Sequence, residues 1–399
     1  MSYPCLIFIL AFQIILPANS ISQINDGKLL SKNKILKLPV SQSEKSILLD
    51  VIIKNDSHRF ILDTGAPTFI SDSLQSIYNF PIIMEAELQD ASAKKGGVTI
   101  VRIDTLVAGP FVFAGLPALV LDFKRSPMQC EHFAGNFGSN ALRFLIASFD
   151  LHGGQVVLTD NKKLLANDYD DYTFNKAYFN AQSDVFFFVS LNNDFPDKVH
   201  FDSGDASLYQ MTRKKADEFA EKYPEAIVQN GNGVISMGAL GLPSATKQRI
   251  CLPEKISIGA VEFNNGIIQT TESPFSRMGR YLLNYGVLII DYQKKKISFN
   301  KYEKTILPLR FDFGFIAVMD DHRVLAGTVW ENGEADQRGL SQGNEIVSIN
   351  GIKFASLALC DIIDELKKLK ESSLEVKLVF VNDQGLEQEV TLHRNIYIK

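Results

Sequence analysis

The chain has 399 residues and a formal net charge of −5, with 46% apolar and 22% charged residues. This is globular composition with length for two or three domains, and the lack of a basic block to neutralise phosphates excludes a nucleic-acid binder. Its 28 phenylalanines, often in runs such as "DVFFFVSL", and its scattered Gly and Pro punctuation predict a mainly β chain.

In chain order, the first element is apolar from Leu6 to Leu16 apart from Gln13. Pro17 breaks it, and Ala18-Asn19-Ser20 offers small residues for cleavage. Residues 1–20 therefore read as a signal peptide, although no Lys or Arg precedes the apolar core. An exported protein, periplasmic or secreted, with a mature start near Ile21 is expected. The apolar core is too short to span a bilayer comfortably, so no stable membrane span is expected. Beyond it lie Cys130, Cys251 and Cys360, odd in number and without C-x-x-C spacing. That argues against a metal cluster or a disulfide framework and leaves open whether Cys130 and Cys251 pair.

The stretch Phe60–Ser71, "FILDTGAPTFIS", drives an apolar strand into Asp63-Thr64-Gly65. A buried carboxylate has to be partnered. Val199–Leu208, "VHFDSGDASL", repeats the pattern, with Asp202 following Asp63 by 139 residues. Farther on, Gly138, Leu142 and Asp150 recur as Gly279, Leu283 and Asp291 at one constant offset. A single D-[ST]-G is weak evidence, since a random chain of this length holds one about one time in six. Two copies in register, each ending an apolar strand, argue for a duplicated unit. Downstream of the first motif Lys94-Lys95-Gly96-Gly97 reads as a hairpin tip, and downstream of the second the Gly-rich run from Gly231 to Gly241 suits either a lid that moves or an ordinary hairpin loop.

Together these motifs resemble a retropepsin-like (pepsin-type, bilobal) aspartic protease, as found in bacteria, over roughly residues 34–299. The Gly elements Asn136–Gly138 and Arg277–Gly279 begin with a polar residue where that family carries an apolar one. The resemblance implies two homologous acid-protease β-barrel lobes, residues 21–170 and 171–305. It makes Asp63 and Asp202 the catalytic pair. Two carboxyls at close range share one proton, so one can take a proton from water while the other donates to the scissile carbonyl. Thr64 and Ser203 would brace the two loops, and Gly65 and Gly204 would allow their tight turn. Asp205 would either add a third charge to the pair or point to solvent. The mechanism requires no cofactor and no metal. An extended peptide or unfolded protein is the implied substrate, bound like an added strand. A monomer is expected.

The C-terminal residues 310–399 carry "ADQRGLSQGNEIVSING" at Ala335–Gly351, which resembles the PDZ pattern. Leu359, Ile362, Ile363, Leu366 and Leu369 fall on one helical face. By that resemblance Phe313-Gly314-Phe315 would hold the terminal carboxylate of a peptide ligand, with the peptide lying along Phe315–Val318. Residues 302–310 read as a linker, so deletion from Phe311 onward is expected to spare cleavage of short peptides. The rival reading is a catalytically inactive peptide-binding adaptor built on the same lobes. No G-x-S-x-G, H-E-x-x-H or P-loop pattern competes with either.

Overall fold

The computed structural model describes residues 7–8, 12–15, 21–41, 46–90, 93–123, 127–130, 132–165, 169, 172–238, 240–264, 266–303, 311–320, 322–372 and 374–396. Most of the expected signal peptide and of the 302–310 linker lies outside these residues. No helix among the described residues is long and apolar enough to cross a membrane.

The chain is mainly β, and the two D-[ST]-G segments sit in equivalent surroundings. In the first lobe, strand Asp56–Leu62 pairs antiparallel with Leu48–Ile53, and Gly135–Phe137 pairs parallel with Phe60–Leu62. In the second, strand Phe195–Asp202 pairs antiparallel with Val185–Leu191, and Ser276–Gly279 pairs parallel with its end, Gly279 opposite Asp202. Phe60, Leu62, Val199 and Phe201 are buried, which is why these strands read as apolar runs rather than clean alternations.

A six-stranded sheet joins the lobes. Ile146–Asp150 and Gly286–Asp291 pair antiparallel at its centre, with Ile146 opposite Asp291 and Phe149 opposite Leu288. One apolar core runs through both lobes, with Phe137, Leu145, Leu283 and Leu288 among its members.

The hairpin expected at Lys94–Gly97 turns slightly earlier, between strands Ile82–Asp90 and Lys95–Ala108. The Asp90 carboxylate accepts the Lys94 N–H and closes the turn there. The outer edge of this hairpin pairs antiparallel with Phe12–Ile15, and Ile7–Phe8 pairs parallel with Ser236–Met237. Both hairpin regions thus accept extended backbone.

The second Gly-rich run has a use the sequence did not suggest. Strand Ile227–Gly233 pairs with Arg323–Trp330 of the C-terminal unit, Gly231 opposite Trp330 and Gly233 opposite Thr328. A Cβ on Gly231 would meet the Val329 carbonyl at 2.7 Å, and one on Gly233 the Gly327 carbonyl at 2.0 Å. These glycines permit close backbone approach to a neighbouring strand of the same continuous sheet.

The C-terminal unit is therefore continuous with the second lobe. Ile316, Val318 and Trp330 share an apolar cluster with Val234, Ile235, Ile250, Leu252 and Ile267. The expected helix spans Leu359–Ser372 and buries Ile362, Ile363 and Leu366. Cys360 on this helix is disulfide-bonded to Cys130 of the first lobe. Cys251, the other candidate partner of Cys130, is a free thiol in the lobe core, pushed up to about 12 by burial.

Candidate active site

Asp63 and Asp202 both stand at the ends of their buried strands with no solvent exposure. Between them the two loops clasp each other. The Thr64 hydroxyl donates to the Phe201 carbonyl at 2.9 Å and accepts the Ser203 N–H at 3.0 Å. The Ser203 hydroxyl donates to the Leu62 carbonyl and accepts the Thr64 N–H, each at 3.0 Å. Four reciprocal bonds leave little freedom to separate the lobes at this point.

Gly65 and Gly204 are needed because each carboxyl lies against the other loop's glycine. A Cβ on Gly65 would sit 2.3 Å from Asp202 Cγ, and one on Gly204 would sit 2.9 Å from Asp63 Cγ. No side chain fits at either position without pushing a carboxyl away. The same holds below the pair, where a Cβ on Gly138 would meet Thr68 N at 2.3 Å and one on Gly279 the Asp205 carbonyl at 2.5 Å.

The inner oxygens are bound. Asp63 Oδ1 accepts the Gly65 N–H at 2.8 Å, and Asp202 Oδ1 accepts Gly204 N–H at 2.9 Å and Asp205 N–H at 3.1 Å. The outer oxygens, Asp63 Oδ2 and Asp202 Oδ2, are buried and have no hydrogen-bond partner among the described residues. Burial pushes Asp63 up to about 6, opposed by the Gly65 N–H. Burial, then the charge of Asp63, then that of Asp205, hold Asp202 well above the usual carboxylate range. The pair therefore retains a proton more strongly than free carboxyls do, and it can act as acid and base at once.

Asp205 points inward. It is fully buried, accepts the Ser207 N–H at 2.7 Å and its hydroxyl at 2.8 Å, and faces Arg277 Nε at 3.4 Å. Arg277 Nη1 in turn lies 3.6 Å from Asp202 Oδ2. Sequence reading had Arg277 only as a polar residue where an apolar one was usual.

It missed Asp184 altogether. This buried carboxylate accepts Asn180 Nδ2 at 2.8 Å and Gln182 Nε2 at 2.7 Å, and its charge pushes Asp63 upward. Its only sequence signal is an acid opening the run "DVFFFVSL". Burial raises Asp184 to about 7. The folded protein thus binds this proton more tightly than the unfolded chain does. The resulting stabilisation is complete below the ordinary carboxylate value of 3.8 and is lost as pH rises through about 7. Asp184→Asn is expected to raise stability by roughly 1–4 kcal/mol at alkaline pH and to change it little in acid, as read by denaturant unfolding at both pH values.

The loop Phe313-Gly314-Phe315 lies apart from this pair, within the C-terminal unit. Phe313 and Phe315 are buried in that unit's core. The Gly314 N–H donates to Asp312 Oδ1 at 2.9 Å, and Asp312 Oδ2 accepts Trp330 Nε1 at 2.8 Å. A side chain already occupies the amide expected to receive a ligand carboxylate.

No family model matches the chain, and no curated protein matches it. Among solved structures the chain is similar to basic 7S globulin from soybean, with 10% sequence identity, 67% of this chain and 95% of that chain covered, and a TM-score of 0.38.

Proposed function

We propose that the chain is a bilobal, retropepsin-like aspartic endopeptidase with a PDZ-like C-terminal domain. The observation that carries this reading is the reciprocal clasp at Thr64 and Ser203, which brings two buried carboxyls together, each against the other loop's glycine, with neither outer oxygen hydrogen-bonded among the described residues. A water bound between Asp63 Oδ2 and Asp202 Oδ2 loses a proton to the ionised member and attacks the peptide carbonyl. The protonated member donates to the carbonyl oxygen as charge develops there. The Gly65 and Gly204 N–H groups hold the inner oxygens still during both transfers.

The substrate is an extended peptide or unfolded protein, added as a strand along the hairpin edges. The pairing of Glu87–Asp90 with Phe12–Ile15 supports that mode. Export to an oxidising compartment is part of the proposal, supported by the apolar N-terminal segment and by the Cys130–Cys360 disulfide. In this reading the PDZ-like domain takes a peptide between Phe315–Asp320 and Leu359–Ser372, where a terminal carboxylate at Gly314 has to displace Asp312.

Incubation with an unfolded protein, from acidic to neutral pH, tests the reading. Cleavage blocked by a peptide analogue bearing a hydroxyl at the scissile position is expected, because such analogues mimic the tetrahedral state. A folded protein that cleaves nothing across that range would leave the inactive adaptor.

A further inference from the structure

The two carboxyls have unequal surroundings. In the first lobe the residue opening the Gly element is Asn136, neutral, whose side-chain oxygen accepts the Phe69 N–H. In the second lobe the same position holds Arg277, a cation with 1% exposure. Strand pairing puts it there, since Arg277 lies opposite Gln210 on one side and, on the other, opposite His200, two residues before Asp202. Its Nη2 donates to Gln210 Oε1 at 3.0 Å and to Thr271 Oγ1 at 3.4 Å. The remaining nitrogens face the two carboxylates, Nη1 toward Asp202 and Nε toward Asp205.

We propose that Arg277, balanced by Asp205, is a positioning residue that sets the pH window in which the Asp63/Asp202 pair holds a single proton. The inference rests on the protease reading for its consequence in catalysis, but its electrostatic content stands apart from it. A cation within a few ångströms of a carboxyl favours the ionised form, and an anion at that range disfavours it. Arg277 and Asp205 contribute one charge of each sign beside Asp202, so their effects on the pair oppose each other. Removing either one leaves the other uncompensated in a site that water does not screen.

The other groups facing the pair do not take over this role. His200, on the strand that ends in Asp202, is buried, and burial and the charge of Arg277 push it down to about 3, so it stays neutral. Tyr292 is held well above its ordinary value by burial and is neutral too. Asp184 raises Asp63 only when it is ionised, and burial holds Asp184 itself up to about 7, so it is mostly uncharged at acidic pH.

The test is a charge cycle in the full-length chain: Arg277→Met, Asp205→Asn and the double variant. It is read twice, by the pH profile of kcat/KM and by carbon NMR titration of labelled aspartate carboxyls. Arg277→Met should move both limbs of the profile up by about one pH unit or more, and Asp205→Asn should move both down by a similar amount. The double variant should return close to the parent, and Arg277→Lys should retain most of the parent position. A merely structural Arg277 would lower activity or stability without opposed shifts of the limbs.

Coincident pH limbs in folded Arg277→Met and Asp205→Asn, with coincident NMR titrations, would overturn the proposal. If Arg277→Met does not fold, the downward shift of Asp205→Asn and the retention by Arg277→Lys decide it. If the parent cleaves nothing, the protease reading falls, while the NMR titrations still support or overturn the charge balance.

Discussion

Asp63→Asn and Asp202→Asn are each expected to lower kcat/KM at least about a thousandfold while leaving the protein folded. The two effects separate for a physical reason. Both carboxyls are fully buried and held above the usual carboxylate range by that burial. An uncharged amide of the same shape is penalised less for burial than an ionised carboxylate, and the clasp through Thr64 and Ser203 does not involve either carboxyl. The melting temperature should stay level or rise at neutral pH. The proposed chemistry, in contrast, needs one proton shared between two groups that act as a unit, so the double variant should be scarcely worse than either single one. Near-parent turnover by either folded single variant would rule out the shared-proton mechanism.

Deleting residues 311–399 is expected to cost the second lobe its stability and with it cleavage of even short peptides. The sequence suggested the opposite, because both Asp motifs lie outside this segment. The structure provides three reasons for the reversal. Truncation leaves strand Ile227–Gly233 with a bare edge where Arg323–Trp330 paired. It uncovers Val234, Ile235, Ile250, Leu252 and Ile267 by removing Ile316, Val318 and Trp330. It also removes the Cys130–Cys360 bond that holds the C-terminal helix to the first lobe. Losing the burial of a few large apolar side chains, at about 1.5–3 kcal/mol each, is a large part of a net stability of about 5–15 kcal/mol. A drop in melting temperature of roughly 10 °C or more, or insoluble expression, is the expected readout. A soluble truncation with the parent's melting temperature and peptide turnover would mean that the C-terminal unit only tethers.

The duplicated unit was legible in the sequence because its constraints are local. Burial of both strand faces before Asp63 and Asp202 forces apolar runs. Close approach of each carboxyl to Gly65 and Gly204 forces glycine, and so does the backbone crossing at Gly138 and Gly279. Each requirement fixes a residue type at a fixed spacing, and the repeat displays it twice. The helix with Ile362, Ile363 and Leu366 was legible for the same reason, a single buried face at helical period.

What surrounds the pair was decided only by tertiary structure. Arg277 lies far along the chain from Asp202 and meets it through the parallel pairing of two strands. Asp184 enters from the residue just before strand Val185–Leu191, and Cys130 finds Cys360 rather than Cys251 across two domains. Gly231 and Gly233 looked like part of a lid or a hairpin loop, and Asp312 did not look like a partner for Gly314. Periodicity and spacing record what one strand or helix buries against its own neighbours. They carry no record of which distant side chain the packing of two lobes and a third unit brings within a few ångströms, and the charge balance of this site is set by those contacts.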